Sequence, residues 1–285
     1  MANDKPPKVL LFDIGGVCVM SPFQSILDYE LRLGIPPGWI NYSISRTAPG
    51  GFWHRLERGE ITLDDAFYNG FNKDLHDPNR WSDFYKTQAA RDSSMPQEVP
   101  AVPKMDGRWL FNDMMTASTA PDPWMYPALQ RLKESGRFIL AAMSNTVIFP
   151  NGHPLFRTNF YDDPVRRLFD VFVSSAHVGL RKPDPRMYEY TLREVDKFAR
   201  NHASSERGQS LGWGDGVNSS EVVFLDDIGE NLKGGRKIGF RTIKVTLGKA
   251  FEAVDELEAI TGLHLAGGHP RIPIKPKPAK PAAKI

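Results

Sequence analysis

The sequence predicts an α/β fold, a doubly wound parallel sheet with an inserted helical domain. Short segments that are apolar at both odd and even positions alternate with amphipathic helical segments, as in a parallel sheet covered on both faces. The stretch 21–122 breaks this alternation, because it holds amphipathic pieces and lacks β-rich apolar runs. With 285 residues, the chain is long enough to bury a full core.

Five segments are predicted to be strands. Four of them are apolar on both faces and are bounded by turn or polar residues: 8–12, 138–143, 171–173 and 221–225. The fifth, 241–245, alternates more between polar and apolar residues, so we expect it nearer an edge of the sheet.

Helices are predicted between these strands and after the last one. They cover residues 123–135, 185–200, 230–238 and 250–261. The last of them carries an apolar stripe at helical spacing with acidic residues opposite, which is typical of a helix that packs on a sheet.

The predicted organisation is a core domain formed by residues 1–20 and 123–266, with a helical domain at 21–122 between its two parts. Inside the helical domain we expect a proline-rich loop at 92–104. A surface insertion rich in Gly and Ser is expected at 201–220.

The last segment, 267–285, is predicted to be a disordered basic tail. It holds five Lys and Arg residues and no acidic residue, whereas the whole chain has 36 basic and 34 acidic residues and a net charge of +2. The rest of the chain therefore carries a net charge of −3, and we expect no nucleic-acid partner.

The composition also bears on the cellular compartment. The single cysteine excludes an internal disulfide framework, and no apolar run approaches the ~20 residues of a membrane span. The charged, proline-containing start lacks a secretory apolar region, so we expect an intracellular, cytoplasmic protein. The final Ala283-Lys284-Ile285 is a conservative variant of the Ser-Lys-Leu signal, which leaves the peroxisome as an alternative.

Carboxylates follow two of the predicted strands. Asp13 ends the first strand, and Asp226 and Asp227 end the fourth. Each alone is typical of a turn, but the carboxyl ends of parallel strands meet at one edge of the sheet, where open α/β folds bind ligands. Three clustered carboxylates repel one another unless a cation lies between them, and hard oxygen ligands suit Mg²⁺.

Groups suited to a phosphate are expected at the same edge. Ser144 and Asn145 follow the second strand, and Lys182 precedes a predicted helix. A hydroxyl, an amide and an ammonium group match the oxygens of a phosphate. Together with a carboxylate nucleophile and Mg²⁺, they indicate phosphoryl transfer through an aspartyl phosphate.

Four motifs carry a resemblance to a known family. In chain order they are Phe-Asp-Ile-Gly-Gly-Val from residue 12, Met-Ser-Asn-Thr from 143, Gly-Leu-Arg-Lys-Pro-Asp-Pro from 179 and Phe-Leu-Asp-Asp-Ile-Gly-Glu-Asn from 224. The set resembles the haloacid dehalogenase (HAD) superfamily. More narrowly, it resembles the N-terminal phosphatase domain of soluble epoxide hydrolases and the HAD-like domain of acyl-CoA dehydrogenase fusion proteins. The resemblance covers residues 8–265, apart from the expected insertion at 201–220.

The resemblance implies a metal site. Asp13 would be both nucleophile and metal ligand, and the carbonyl of Gly15 would be a backbone ligand. Asp227 would be the side-chain ligand from the fourth motif, and Asp226 would bind metal-bound water. The implied cofactor is Mg²⁺.

The resemblance also implies how substrate is held. Ser144 and Asn145 would bind the transferring phosphoryl group, and Lys182 would neutralise its charge and that of Asp13. Asn231 would orient the fourth loop, and residues 21–122 would form a cap that closes over a small phosphorylated metabolite and excludes water.

One position departs from the family pattern. Family phosphatases usually have a second Asp, the general acid/base, where this chain has Gly15, and such assistance is worth ~10²–10⁴ in rate. Three hypotheses follow. The protein acts slowly or on good leaving groups such as acyl or anomeric phosphates, the cap supplies another acid such as His54, or the domain is a non-catalytic module that binds a ligand or a protein.

Two related activities fit the motifs less well. Within the superfamily that the chain resembles, haloacid dehalogenases need no metal. This chain keeps Asp226 and Asp227, the carboxylates expected near a metal, so the resemblance implies that dehalogenation fits less well. Phosphonate hydrolysis would need a cap lysine that forms a Schiff base. Lys73 and Lys86 lie in the insert, but no sequence feature distinguishes them from ordinary surface lysines.

Overall fold

The structure is a computed structural model, and it describes residues 6–275. Within that range the chain forms five β-strands and twelve α-helices. The strands are β1 (Val9–Phe12), β2 (Ile139–Ser144), β3 (Val171–Ser174), β4 (Val222–Asp226) and β5 (Arg241–Lys244). The helices are α1 (Pro22–Leu33), α2 (Trp39–Arg46), α3 (Phe52–Glu57), α4 (Asp65–Leu75), α5 (Pro78–Ala89), α6 (Gly107–Ala117), α7 (Met125–Ser135), α8 (Ser175–Val178), α9 (Pro185–Asn201), α10 (Glu206–Ser210), α11 (Gly229–Ile238) and α12 (Ala250–Thr261).

The strands form one parallel sheet in the order β3-β2-β1-β4-β5. All five predicted strands are present, and the predicted α/β fold with a parallel sheet is confirmed. The chain builds the sheet outward from β1 in one direction and then in the other, so the switch point lies between β1 and β4. Phe12 pairs with Ala142 and with Leu225, which places Asp13 beside the ends of β2 and β4.

Helices cover both faces of the sheet, as a doubly wound fold requires. Leu10 and Phe12 of β1 pack with α7 and α12 in one buried cluster. Val9 and Leu11 point to the other face and pack with α9 and with Leu232 of α11. The strands are apolar at both parities because both faces are buried, which is the pattern that predicted them.

Helices α1 to α6 pack around a third hydrophobic cluster of their own. It is rich in aromatic residues, among them Trp39, Phe67, Phe71, Trp81 and Phe111. The rings supply a large buried area, so this part of the chain has a separate core. Residues 92–104 form no helix or strand, as expected from their prolines.

Two segments pack more closely than predicted. In the expected surface insertion at 201–220, Trp213 is 1% exposed, with its ring 5.8 Å from that of Phe198 and 4.8 Å from the guanidinium carbon of Arg207. The Trp213 side chain packs this segment against the core. The many Gly and Ser residues around it led us to expect an exposed segment.

The beginning of the expected disordered tail also lies on the core. Trp124 donates from Nε1 to the carbonyl of Pro270 at 3.1 Å, and Ile274 donates from N to the carbonyl of Gly248 at 2.9 Å. Arg271 pairs with Asp255 of α12. The rest of the predicted tail, including the final tripeptide, lies outside the described residues. Among residues 6–275, no helix has the length and apolar character needed to cross a membrane.

Candidate active site

Asp13 lies at the centre of the sheet edge. Its amide donates to the carbonyl of Leu225 at 2.9 Å, which continues the pairing of β1 with β4. One carboxylate oxygen, Oδ1, accepts from the amide of Ile14 at 2.7 Å, and Oδ2 lies 2.8 Å from Lys182 Nζ. Asp13 is only 6% exposed, so its carboxylate is oriented and largely shielded from water.

Lys182 is fully buried and forms ion pairs with two carboxylates. Its Nζ lies 2.8 Å from Asp13 Oδ2 and 2.7 Å from Asp226 Oδ2. Burial by itself would lower the pKa of Lys182, but the two carboxylates outweigh it and raise the pKa. The side chain is therefore a charged ammonium group at neutral pH, placed against the predicted nucleophile.

Asp226 has its lone pairs occupied by protein donors. Its Oδ1 accepts from the amide of Ile228 at 2.8 Å, Oδ2 accepts from Lys182, and Asn231 Nδ2 lies 3.1 Å from both oxygens. Burial raises the pKa of Asp226 to about 6, with Lys182 opposing that shift. The resemblance assigns Asp226 to metal-bound water and Asn231 to the orientation of the fourth loop. In the structure Asp226 contacts Lys182, and Asn231 contacts Asp226.

Asp227 has an unsatisfied oxygen. Its Oδ1 is buried and has no hydrogen-bond partner among residues 6–275. Burial, together with the charges of Asp13 and Asp226, raises the pKa of Asp227 well above its usual range. Oxygens of these three carboxylates lie within 4.8 Å of one another. An orphaned carboxylate oxygen in such a cluster is what a divalent cation would satisfy, so the donor set fits Mg²⁺.

The two glycines after Asp13 have different surroundings. A Cβ on Gly16 would lie 2.2 Å from Asp227 Oδ2, and Gly16 has a φ of +77°, so this position requires glycine. A Cβ on Gly15 would meet Pro22 at 3.5 Å, which is ordinary van der Waals contact. The position of the family's second Asp therefore has room for a side chain, and this sequence leaves it without one.

Asn145 contacts the backbone of Lys182. Its Oδ1 accepts from the Lys182 amide at 2.8 Å, and its Nδ2 donates to the Lys182 carbonyl at 3.2 Å. This side-chain amide therefore holds the loop that carries Lys182, and the expected contact with a phosphoryl group stays a prediction. Ser144, at the end of β2, is 3% exposed and is paired in register with Ser174 of β3.

His54 is poorly suited to act as the missing acid. It is 4% exposed, and its pKa is lowered to about 4 by burial and by the nearby charges of Arg181 and Arg58. At neutral pH the imidazole is neutral and has no acidic proton of suitable strength to give. Lys73 and Lys86, the candidates for a Schiff base, are both exposed.

Contacts that had no recognisable signal in the sequence join the helical insert to this site. Glu57 of α3 pairs with Arg181, the residue before Lys182, at 2.7 Å. Ser175 Oγ donates to the Glu57 carbonyl and accepts from the amide of Thr146 in the loop after β2. Arg181 lies inside a motif, but Glu57 is 124 residues away from it, and no local pattern marks the pairing.

Comparison with known proteins places the chain among relatives of three kinds. It is 28% identical over 265 residues to "Acyl-CoA dehydrogenase family member 10" of Mus musculus, covering 92% of this chain and 20% of that protein. It is 25% identical over 259 residues to "Bifunctional epoxide hydrolase 2" of Sus scrofa, covering 90% and 39%. It is 25% identical over 240 residues to "Sesquiterpene phosphatase astK" of Aspergillus oryzae, covering 84% and 90%.

These matches confirm the resemblance that the four motifs carry. The chain spans about a fifth of the first relative and two fifths of the second, but most of the third. No family model matches the chain.

Proposed function

Because the chain resembles the HAD superfamily, we propose that it is a Mg²⁺-dependent phosphatase acting on a small phosphorylated metabolite through an aspartyl phosphate on Asp13. The observation that carries the proposal is the set of three clustered carboxylates with one buried lysine and one unsatisfied oxygen, on Asp227. The relative that matches over most of its own length has a name that describes a phosphatase, which supports this activity over dehalogenation.

Asp13, Asp227 and the Gly15 carbonyl are the groups we assign to Mg²⁺. Asp226 is left out of direct contact, because its oxygens accept from Lys182, Asn231 and the Ile228 amide. When bound, Mg²⁺ would neutralise charge on the carboxylates and on the phosphoryl oxygens.

In the proposed first step, a carboxylate oxygen of Asp13 attacks phosphorus, and the bond from phosphorus to the leaving oxygen breaks. Lys182 stabilises the charge that Asp13 and the phosphoryl group share, because its ammonium group lies 2.8 Å from Asp13. In the second step, water attacks the same phosphorus, which releases inorganic phosphate and restores the Asp13 carboxylate. Ser144, at the adjacent strand end, would donate its hydroxyl to a phosphoryl oxygen.

The helical insert is proposed to be the cap over this site. Asp13 is 6% exposed and Lys182 is fully buried, so these two side chains are shielded from solvent. Movement of α1 to α6 would admit substrate, and their return would exclude water from the ion pairs.

Gly15 shapes the proposed substrate class. It cannot protonate the departing oxygen, and the neutral imidazole of His54 does not replace that proton. We therefore propose substrates whose leaving group is already a weak base, such as acyl or anomeric phosphates, over simple alkyl phosphates.

The second candidate function is a non-catalytic module that binds a phosphorylated ligand, and Gly15 is the observation that favours it. The test is phosphate release from a panel of alkyl, aryl and acyl phosphates with and without Mg²⁺. A phosphatase releases phosphate in a Mg²⁺-dependent way that Asp13→Asn abolishes. Binding without release, converted to release only by Gly15→Asp, would establish the module instead.

A further inference from the structure

Two adjacent residues connect the catalytic lysine to the helical insert. Lys182 reaches into the core and pairs with Asp13 and Asp226, whereas Arg181 turns the other way and pairs with Glu57 of α3. Two guanidinium nitrogens of Arg181 lie 2.8 and 2.7 Å from Glu57 Oε2. The side chains of Glu57 and Arg181 are 8% and 20% exposed, so this pair is mostly removed from water.

Glu57 is also connected, through Ser175, to the loop after β2. Thr146 donates its amide to Ser175 Oγ at 2.8 Å, and Ser175 donates its hydroxyl to the Glu57 carbonyl at 2.5 Å. Close by, a Cβ on Gly59 would lie 2.2 Å from the carbonyl oxygen of Ala176, so the backbones of insert and core approach each other here. Glu57 therefore bonds through its side chain to Arg181 and through its carbonyl to Ser175, which in turn holds Thr146 in the loop after β2.

The energetics of the Glu57–Arg181 ion pair suit a contact that forms when the insert docks on the core and breaks when it moves away. The attraction in a buried ion pair does little more than offset the cost of desolvating the two charges, but breaking the pair while one partner stays buried is strongly unfavourable. Glu57 meets Arg181 only when the insert lies on the core, and both groups regain water when the insert moves away. The pair thus adds little net stability and strongly favours one docked position over slightly displaced ones.

We propose that Glu57 is a positioning residue for Lys182. It holds Arg181 when the insert docks, and through the Arg181–Lys182 backbone it sets the ammonium group against Asp13. Asn145 secures the same backbone from the core side. The site is then fully assembled only when the cap is closed. The catalytic consequence rests on the proposed phosphatase function, whereas the mechanical coupling does not.

The test compares Glu57→Gln with Glu60→Gln. The first keeps the shape of the side chain and removes its charge. The second removes the same charge from a residue three positions on, which is 45% exposed and pairs with Arg58 of its own turn. Hydrogen exchange of residues 179–184 is measured by mass spectrometry, together with kcat, KM and the urea unfolding midpoint.

For E57Q we expect exchange in 179–184 to rise about tenfold and kcat to fall about tenfold, with KM changed less than ~2-fold. The urea unfolding midpoint should be lower for E57Q than for E60Q, because Arg181 stays mostly buried without its partner. The rise in exchange at 179–184 should exceed the rise in the strands of the sheet, which reports the loss of global stability, and E60Q should keep wild-type exchange and kcat. Arg181→Gln should give the same loss as E57Q, and the double variant should be no worse than either, because all three break one contact.

Equal exchange in E57Q and E60Q would overturn the proposal, as would losses for E57Q and R181Q that multiply in the double variant. If the wild-type protein releases no phosphate, the phosphatase function fails, and the exchange comparison alone still decides the coupling.

Discussion

Lys182 Nζ lies 2.7 Å from Asp226 Oδ2, and neither side chain has exposed surface. Because both side chains are buried, water cannot replace either charged partner if the other is removed. Asn231 and the Ile228 amide donate the remaining hydrogen bonds to Asp226. The site therefore depends on this pair for the position of its lysine and for the balance of buried charge.

Replacing Lys182 should destabilise the protein strongly. In Lys182→Met, the carboxylates of Asp13 and Asp226 lose their shared cation, and the free energy of unfolding should fall by about 3–5 kcal/mol in urea titrations without Mg²⁺. Adding Asp226→Asn in the same chain should restore part of the loss. Lys233→Met, which removes an exposed lysine, should change it by less than ~0.5 kcal/mol. A K182M loss as small as that of K233M would contradict a buried pair.

Mg²⁺ should stabilise the protein through Asp227. At a concentration of 100 Kd, the ion should raise the free energy of unfolding by about 2.7 kcal/mol. Asp227→Asn should abolish this increase. Without Mg²⁺ the same variant should be more stable than wild type, because it removes a carboxylate whose pKa is raised by burial and like charges.

Asp215→Asn is the matched control for the ion, since Asp215 is exposed. It should keep the Mg²⁺ effect in full. Retention of the effect in D227N would place the ion elsewhere.

Gly15→Asp should change how turnover depends on the leaving group. The wild-type rate should fall steeply from acyl and aryl to alkyl phosphates, because no acid protonates the departing oxygen. G15D should raise alkyl phosphate turnover by up to ~10²-fold and acyl phosphate turnover much less. The 3.5 Å clearance to Pro22 admits the new Cβ, and Gly15→Ala controls for the backbone. An equal change for all leaving groups would argue against this explanation.

Stability should fall with acidity partly through His54. Its pKa is about 4 in the folded protein against an ordinary value of 6.5, so the unfolded chain takes up the proton first. The contribution is complete above pH 6.5 and is lost as the pH falls toward 4, by about 3 kcal/mol in all. His54→Gln should remove this part of the slope in urea titrations across that range. A difference between wild type and H54Q that does not vary with pH would show that His54 is not buried as described.

The fold could be predicted from the sequence because burial on both faces leaves a local mark. Strands β1, β2 and β4 are apolar at every interior position, and that pattern located them to within one or two residues. Trp213 shows the limit of this approach, since a single buried aromatic in a Gly- and Ser-rich segment leaves no periodic signal.

The site was predictable as a set of residues but not as a set of contacts. Strand ends brought Asp13, Asp226 and Asp227 together, because the carboxyl ends of parallel strands converge. The sequence could not reveal that Asn145 bonds the Lys182 backbone or that Glu57 holds Arg181. Those contacts join residues far apart in the chain, and they depend on how loops pack once the sheet and the insert are in place.

The central claim is that Asp13 becomes phosphorylated during turnover, and trapping that intermediate tests it most directly. The protein is quenched during turnover of the fastest phosphate donor of the panel, treated with borohydride, digested and analysed by mass spectrometry. The account predicts that Asp13 is converted to homoserine, the reduction product of an aspartyl phosphate, and that Asp13→Asn shows neither the product nor phosphate release. Phosphate release with an unmodified Asp13, or undiminished release by D13N, would contradict it.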